Sequence, residues 1–207
     1  MPEPRRRPLP AAFYLRDPRE VAVDLLNKVL AHDDPVHGLI GGRIVEAEAY
    51  LGAGLDPGSH AFRGPTRRNA TMFGPPGHLY VYFTYGMHWC SNVVCNPEGG
   101  GGAVLIRALA PLDGLEAMWG RRPKARRERE LCSGPARLAQ ALGLTGDLDG
   151  TDLSAGPVLL FDDGTPPPPD PGNSVRIGLS RGKGDLSPWR WWVPGDPNVS
   201  RPPPRIP

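Results

Sequence analysis

The sequence predicts an α+β protein, a single mixed domain with a curved, mostly antiparallel sheet, surrounding helices and a protruding β-hairpin. Its 207 residues suit one domain with a sizeable core. The 27 glycines and 27 prolines indicate many turns and argue against a helical bundle. Several short strand-like runs also alternate with only a few helix signals. We expect the domain to span residues 11–201, with residues 1–10 and 202–207 as flexible tails.

Helix signals occur at three places. Asp17 is a suitable N-cap, and the proline and apolar residues at helical spacing over 18–30 predict the first helix. A capping pattern within 113–118 predicts a second, short helix. The sequence Ser-Gly-Pro at 133–135 opens a third helix, which we expect to end at Gly143.

Strand-like runs are bounded by glycine-rich turns, and the glycines at 38–42 are expected to break the chain before the first of them. A short turn at 85–87 between two neighbouring runs predicts a hairpin with its tip at these residues. The strand-like runs lie at 43–50, 79–84, 88–95, 103–108, 175–179 and 189–193.

Net charge, cysteine content and the absence of long apolar runs indicate which partner, cofactor and compartment to expect. A formal net charge of +2 is by itself weak support for a nucleic-acid partner. Cys90, Cys95 and Cys132 form no C-x-x-C pair, so we expect reduced, buried thiols, no disulfide framework and no metal or other cofactor. No apolar run approaches the ~20 residues of a membrane helix, and no apolar segment follows the basic N-terminus. We therefore expect a cytoplasmic protein.

Two carboxylates occupy the first predicted strand. Because strand side chains alternate between faces, Glu46 and Glu48 share a face with Ile44 and Tyr50. Composition favours a solvated pair that neutralises arginine, whereas a general base beside an aromatic ring is the functional alternative. A glycoside-hydrolase pair is excluded, because carboxylates at i and i+2 project side by side and cannot flank a sugar.

The predicted hairpin is rich in tyrosine. Tyr80 and Tyr82 share one face, and Tyr85 falls near the tip. Tyrosines at the wet edge of an amphipathic hairpin are common, but an aromatic ring at a tip can also enter a base stack and replace an extruded nucleotide. The hairpin alone does not decide between these interpretations.

Basic residues cluster in two places. Arg63, Arg67 and Arg68 follow the carboxylate strand in a glycine-rich loop, and a second basic run lies at 121–129. Such runs are usually solvated, but they can contact DNA phosphates. His60, in the same loop as the first cluster, is either a satisfied loop histidine or a ring that lines a base pocket.

Several separate blocks, in order between about residues 17 and 201, resemble the alkyladenine (3-methyladenine, methylpurine) DNA glycosylase family. Departures from the family pattern are Arg67 in place of a common proline, His88 in place of a common aromatic, and one extra residue between Tyr50 and His60. The resembling blocks are 42–52 with Asp56 and His60; 68–69, 72–73, 76–82 and 85–87 with Asn92; 104–109 with Pro111 and Gly114; 131–135; and 189–193 with Val199 and Ser200.

The resemblance implies a monofunctional DNA glycosylase of base excision repair, which flips an alkylated or deaminated purine out of the duplex and hydrolyses its N-glycosidic bond. Glu48 would be the general base, with Arg107 and the carbonyl of Val193 holding the attacking water, and Glu46 would be structural. The implied contacts to DNA are Tyr50 and His60 stacking on the base, Tyr82 at the pocket edge, Asn92 rejecting guanine, Tyr85 intercalating, and Arg63, Arg67 and Arg68 on the backbone.

The implied partner is double-stranded DNA that contains a damaged purine, bound by a monomer without a membrane or an obligate protein partner. The resembling active-site blocks contain no lysine that could form a Schiff base, which favours simple hydrolysis. Two other functions remain open: a noncatalytic domain that binds damaged DNA, and a nucleoside hydrolase that acts on small molecules. Glu48→Gln separates an enzyme from a pure binder, and salt dependence separates a DNA enzyme from a nucleoside hydrolase.

Overall fold

The computed structural model describes residues 6–200, which form a curled, half-barrel antiparallel sheet with helices around it. The α+β fold class predicted from the sequence is confirmed. The strands are β1 (Arg7–Pro8), β2 (Val29–Asp34), β3 (Gly38–Tyr50), β4 (Leu79–Thr84), β5 (His88–Cys95), β6 (Gly102–Asp113), β7 (Val158–Asp162), β8 (Gly172–Ser174) and β9 (Arg190–Trp192). The helices are α1 (Ala11–Tyr14), α2 (Pro18–Asp24), α3 (Leu115–Arg121), α4 (Arg129–Cys132) and α5 (Pro135–Leu142), with 3-10 turns at Ala70–Phe73 and Gly146–Leu148.

Strand β3 lies at the centre of the sheet, whose main order is β1-β7-β2-β3-β6-β5-β4. All of its pairings are antiparallel. The first part of β3 pairs with β2, and residues 46–48 pair with β9, which in turn pairs with β8. Strand β6 pairs along the other edge of β3. Both carboxylates of β3 therefore lie on a strand with neighbours on both sides, which removes them from the solvated surface.

The first helix is shorter than the sequence predicts. It begins after Asp17, which caps the amide of Arg19, but it ends at Asp24, and the apolar residues at 29–30 belong to β2. Asn27 adopts a positive φ of 68°, and its amide donates to the carbonyl of Ile44 on β3. The left-handed conformation of Asn27 is incompatible with a continuing helix. The apolar residues at 29–30, which match the helical spacing, lie instead in a buried strand.

The glycines at 38–42 do not break the chain but form the start of β3. A Cβ on Gly42 would lie 2.6 Å from the carbonyl oxygen of Ala110, and one on Gly41 would lie 2.7 Å from the Cβ of Ala31. These glycines are required where neighbouring strands approach closely, and glycine is compatible with a strand for that reason.

Two further elements differ from the prediction, and one agrees with it. The N-cap of α3 is Gly114, whose φ is 69°, so the predicted side-chain cap at Asp113 does not form and Asp113 ends β6. The run at 175–179 is not a strand, and β8 lies just before it. Helix α5 is confirmed, including its left-handed end at Gly143.

Residues 6–10, which lie before the expected domain boundary at residue 11, belong to the part of the chain that the structure describes. Strand β1 pairs with β7, and Leu9 is buried while its amide donates to the carbonyl of Leu160. The predicted tails at 1–5 and 202–207, and the boundary residue 201, lie outside the described residues. Within residues 6–200, no helix is both long and apolar enough to cross a membrane.

Two clusters of buried side chains support the sheet. The large cluster joins the helices to the inner face of β2, β3 and β6, and includes Ile44, Ile106 and Leu109. A small cluster contains Met72, Tyr80 and Ala61, with Tyr82 packed against it. The small cluster fixes the hairpin of β4 and β5 to the glycine-rich loop that follows β3.

Candidate active site

A cavity of about 240 Å³ opens between the sheet, the loop after β3 and the segment after β8. Four tyrosines and a histidine contribute to its wall, together with the polar side chains of Asn92 and Arg107, and such a combination suits a flat organic ligand with polar edges. The lining residues that matter below are Tyr50, His60, Tyr80, Tyr82, Asn92, Arg107 and Ile177. The structure thus brings together most of the residues that the sequence assigns to catalysis and base binding.

The carboxylate of Glu48 lies immediately behind this wall, and the side chain is fully buried. Oε2 accepts hydrogen bonds from the hydroxyl of Tyr50 at 3.0 Å and from Nη1 of Arg107 at 3.1 Å. Oε1 accepts from the backbone amide of Ile177 at 2.7 Å. A carboxylate offers about four acceptor positions, so these three donors leave about one for a further donor such as water.

Burial raises the pKa of the Glu48 carboxyl above its usual range, and the charge of Glu46 adds to this rise. Arg107, the amide of Ile177 and the hydroxyl of Tyr50 oppose the rise. A carboxylate with a raised pKa is a stronger base than one in water and, when ionised, takes up a proton more readily. The environment of Glu48 therefore suits a general base.

Arg107 is shared between the two glutamates of β3. Its Nε donates to Oε1 of Glu46 at 2.9 Å, while Nη1 reaches Glu48. Burial disfavours its charge, but the two carboxylates raise the pKa of Arg107 overall. The guanidinium therefore stays charged beside the cavity and is held from two sides.

Glu46 is also fully buried, so the solvated-pair interpretation of the two glutamates is wrong. Besides Arg107, it accepts from Nε of Arg190 at 2.7 Å and from the amide and hydroxyl of Ser200 at 2.6 and 3.0 Å. Burial opposes its ionisation, but Arg107 and Arg190 lower its pKa overall. Glu46 fastens the end of the described chain to the sheet.

Three further aromatic rings in the cavity wall contact one another. His60 lies edge-on to Tyr82 with centroids 4.6 Å apart, and its Nδ1 is 3.2 Å from the hydroxyl of Tyr80. Tyr80 and Tyr82 are stacked at 5.4 Å. Desolvation, with a contribution from Arg68, lowers the pKa of the His60 imidazole, so its ring is neutral at pH 7. A flat ligand in the cavity would thus meet uncharged rings.

Asn92 lies on β5 directly across from Tyr80. It is buried, lines the cavity, and donates from Nδ2 to the carbonyl of Tyr80 at 3.3 Å. The bond orients its amide group within the wall. Asn92 is therefore placed to contact the edge of a bound ring.

Tyr85 lies at the turn of the β4–β5 hairpin, with 81% of its side chain exposed. Its φ of 51° is the left-handed conformation, which is uncommon for an aromatic residue. Tyr85 also borders the cavity mouth. An exposed ring beside an aromatic cavity has the position required of a wedge.

The three loop arginines differ in their surroundings. All are exposed, but Nη2 of Arg68 donates to the carbonyl of Phe83 at 2.7 Å and so ties the loop to the hairpin. Arg63 and Arg67 lie on the same loop. No three His, Cys, Asp or Glu side chains within residues 6–200 are placed as ligands for a metal ion.

Among the predicted site residues, Glu48 and the three loop arginines do not line the cavity, although Glu48 is hydrogen-bonded to the lining residues Tyr50 and Arg107. Val193 does not line it either. Its amide donates to the carbonyl of Val45, and its carbonyl accepts from the amide of Asp196. Ile177, which sequence reasoning missed, contacts Glu48 instead. The contact is made by a backbone amide, in a run that the sequence predicts to be a strand but that forms neither strand nor helix, so side-chain identity gave no signal.

Residues 12–197 match the sequence profile of the Methylpurine-DNA glycosylase (MPG) family, and the chain belongs to this family. It is 57% identical over 200 residues to a protein of Burkholderia cenocepacia (strain HI2424) named "Putative 3-methyladenine DNA glycosylase", with 96% of this chain and 93% of the relative covered.

Two further relatives have the same name. The relative from Streptomyces avermitilis is 52% identical over 201 residues, covering 95% of this chain and 92% of the relative. The relative from Methanoculleus marisnigri is 49% identical over 196 residues, covering 93% and 98%. Each of the three relatives therefore matches more than nine-tenths of this chain.

Proposed function

We propose that the protein is a monofunctional DNA glycosylase, which takes a damaged purine out of double-stranded DNA and hydrolyses its N-glycosidic bond to leave an abasic site. The carboxylate of Glu48, held by three donors directly behind an aromatic cavity, is the observation that carries this proposal. Family membership and the names of the relatives support the same class of reaction.

In the proposed reaction, the flipped purine lies between Tyr50 and His60, with Tyr82 at the edge of the pocket. Both stacking residues line the cavity. Electron-rich aromatic faces favour a base that carries positive charge, as purines alkylated on a ring nitrogen do. Asn92 contacts the ring edge and disfavours an exocyclic amino group, because its amide is fixed by the bond to Tyr80.

Glu48 takes a proton from water as the water attacks the anomeric carbon. Cleavage of the glycosidic bond develops positive charge on the sugar, so the same carboxylate also stabilises the transition state. General-base assistance is typically worth ~10²–10⁴ in rate. Arg107 and the amide of Ile177 hold the Glu48 carboxylate in a fixed orientation. This orientation determines where the remaining acceptor position of the carboxylate can receive a proton from water.

Hydrolysis requires no enzyme amine. In the described part of the chain, none of the residues lining the cavity is a lysine, so a Schiff-base route has no nucleophile there. The product is therefore an intact strand with an abasic site. We propose that a monomer acts, with Tyr85 filling the gap in the duplex and Arg63, Arg67 and Arg68 near the phosphates.

The test is release of free base from matched duplexes that contain 3-methyladenine, 7-methylguanine, hypoxanthine or ethenoadenine. Wild type should release at least one of them, and strand breaks should appear only after alkali. Glu48→Gln keeps the shape of the side chain and should reduce release by ~10²-fold or more while lesion binding remains. Glu128→Gln changes an exposed glutamate and serves as the matched control.

Three outcomes would contradict the proposal. Lesion binding by wild type without base release would indicate a noncatalytic binding domain. Cleavage of free alkylated nucleosides at a comparable rate, with little dependence on salt, would indicate a nucleoside hydrolase, because DNA binding weakens steeply as salt rises. Full activity of Glu48→Gln would remove the general base.

A further inference from the structure

A second buried ion pair lies behind the cavity wall and takes no part in the chemistry described above. Asp56 and Arg176 are both fully buried side chains. Nη1 of Arg176 is 2.6 Å from Oδ2 of Asp56, and Nη2 is 2.8 Å from Oδ1, which is a bidentate arrangement. The pair joins the loop after β3 to the segment after β8.

The guanidinium of Arg176 lies over the ring of Tyr50. Its Cζ is 4.5 Å from the centroid of Tyr50 and 4.9 Å from the ring of Trp189, so the cation is enclosed between two aromatic faces. Nη1 also donates to the carbonyl of Ala49 at 2.9 Å. Tyr50 lines the cavity and Arg176 does not, so we infer that the cation lies on the face of the ring that is turned away from the cavity.

A base stacked on the cavity face of Tyr50 would therefore be separated from a guanidinium by the thickness of one ring. Two cations on opposite faces of one ring compete for the same negative π-density and repel one another through a medium of low polarity. An unneutralised Arg176 would disfavour a positively charged base. Asp56 supplies the compensating negative charge at hydrogen-bond distance.

We infer that Asp56 is a specificity-determining residue, whose charge neutralises Arg176 behind Tyr50 and so permits a cationic alkylpurine to stack there. The selectivity concerns the charge of the base: cationic purines depend on this compensation, and neutral deaminated purines do not. The inference rests on the proposed glycosylase function. It assigns to Asp56 and Arg176 a role beyond holding two segments together.

The test compares 7-methylguanine, which is cationic, with hypoxanthine, which is neutral, in the same duplex context. The measured quantity is the ratio of their single-turnover excision efficiencies. Asp56→Asn keeps the shape and an acceptor for the amide of Leu51, and should lower the ratio on the order of ten-fold. Arg176→Gln leaves Asp56 as the uncompensated charge and should raise the ratio.

Asp56→Asn/Arg176→Gln restores neutrality and should return the ratio to within about two-fold of wild type. Arg176→Lys retains the cation and serves as the control for loss of the guanidinium shape. Structural damage lowers the excision of both substrates together and leaves the ratio of their excision efficiencies unchanged. Opposite shifts of this ratio in the two single variants therefore identify a charge effect. Each single variant has its own expected direction of change in the ratio. Thermal unfolding shows which variants fold, and either variant that folds is sufficient for the test.

An unchanged ratio in Asp56→Asn, or shifts of both single variants in the same direction, would overturn the inference. This failure is distinct from failure of the proposed function. Wild type that releases neither base from any duplex contradicts the glycosylase proposal itself, whereas wild type that releases both bases with an insensitive ratio contradicts only the role of Asp56.

Discussion

The hydroxyl of Tyr50 donates a hydrogen bond of 3.0 Å to Oε2 of Glu48, two residues earlier on the same strand. Burial, followed by the charge of Glu48, raises the pKa of Tyr50 well above its usual value, so the phenol remains a donor over the whole physiological range. One residue thus provides both a ring for the cavity wall and a proton donor for the carboxylate. Stacking and base strength are coupled through a single side chain.

Tyr50→Phe separates these two roles. The ring remains for stacking, but Glu48 loses a hydrogen bond to its charged form, which is worth about 1.5–3 kcal/mol. We expect the excision rate at pH 7 to fall by about ten-fold or more and the low-pH limb of activity to move to higher pH. Single-turnover excision across a pH series measures both effects. Tyr14→Phe, at another buried tyrosine, is the control and should change neither.

The raised pKa of Glu48 has opposite consequences for activity and for stability. Activity requires the carboxylate, so excision should fall with decreasing pH through a pKa above the usual glutamate range. A pKa raised in the folded state means that the folded protein binds the proton more tightly than the unfolded chain. This contribution to stability is fully present below the unfolded pKa and is lost as pH rises through the folded pKa.

Comparison with Glu48→Gln isolates that contribution. We consider the free energy of unfolding of wild type minus that of the variant. As pH rises from the unfolded-state pKa of Glu48 to its folded-state pKa, this difference should decrease by up to about 1.4 kcal/mol for each pH unit. Urea unfolding at a series of pH values measures it. A difference that increases with pH in this range would show that the folded state favours the ionised form.

Sequence patterns were informative where local chemistry decides the structure, as at Asp17 and at Gly143. They failed at residues 29–30 and 38–42, because a helical period can continue into a buried strand, and glycine can serve close strand approach as well as a turn. Pairing partners such as β9 on β3 depend on residues more than a hundred positions apart. No local pattern contains that information.

The candidate site shows the same division. Glu48, Tyr50 and Arg107 could be named from motif resemblance because the roles proposed for them belong to their side chains. The contact of Ile177 with Glu48 is made by a backbone amide, which any residue except proline can provide. The predicted face alternation of β3 did not indicate burial of Glu46 and Glu48, because burial of both faces depends on the strands and segments packed around them.

Glu46→Gln should chiefly affect stability. The substitution removes the negative charge that pairs with both Arg107 and Arg190, and breaking a buried ion pair costs about 3–5 kcal/mol. Because the pKa of Glu46 is lowered in the folded state, its contribution is present above the unfolded pKa and is lost as pH falls through the folded pKa. Wild type should therefore lose its advantage over the variant in acid.

Thermal unfolding of both proteins between neutral and acidic pH measures this effect. Ser200→Ala, which removes one hydroxyl from the same cluster, should cost only about 1 kcal/mol. Equal stability of Glu46→Gln and wild type at pH 7 would show that the buried carboxylate has no net stabilising role.

We expect Tyr85 to lower the stability of the fold through its backbone conformation and to strengthen DNA binding through its ring. Its left-handed backbone costs a non-glycine residue about 1–2 kcal/mol, and asparagine tolerates this conformation better than most residues. Tyr85→Asn should therefore be more stable than Tyr85→Ala. Both lack the ring, and base–aromatic stacking is worth about 1–3 kcal/mol, so both should bind a lesion duplex about 5- to 150-fold more weakly than wild type.

Fluorescence anisotropy with a hypoxanthine duplex and urea unfolding together measure the two quantities. Val36→Ala, at an exposed valine in the turn between β2 and β3, is the control for loss of exposed apolar surface and should leave binding unchanged. Wild-type affinity in both Tyr85 variants would mean that the ring does not enter the duplex. The unfavourable backbone conformation of residue 85 would then have no function, because asparagine would adopt it at lower cost without weakening DNA binding.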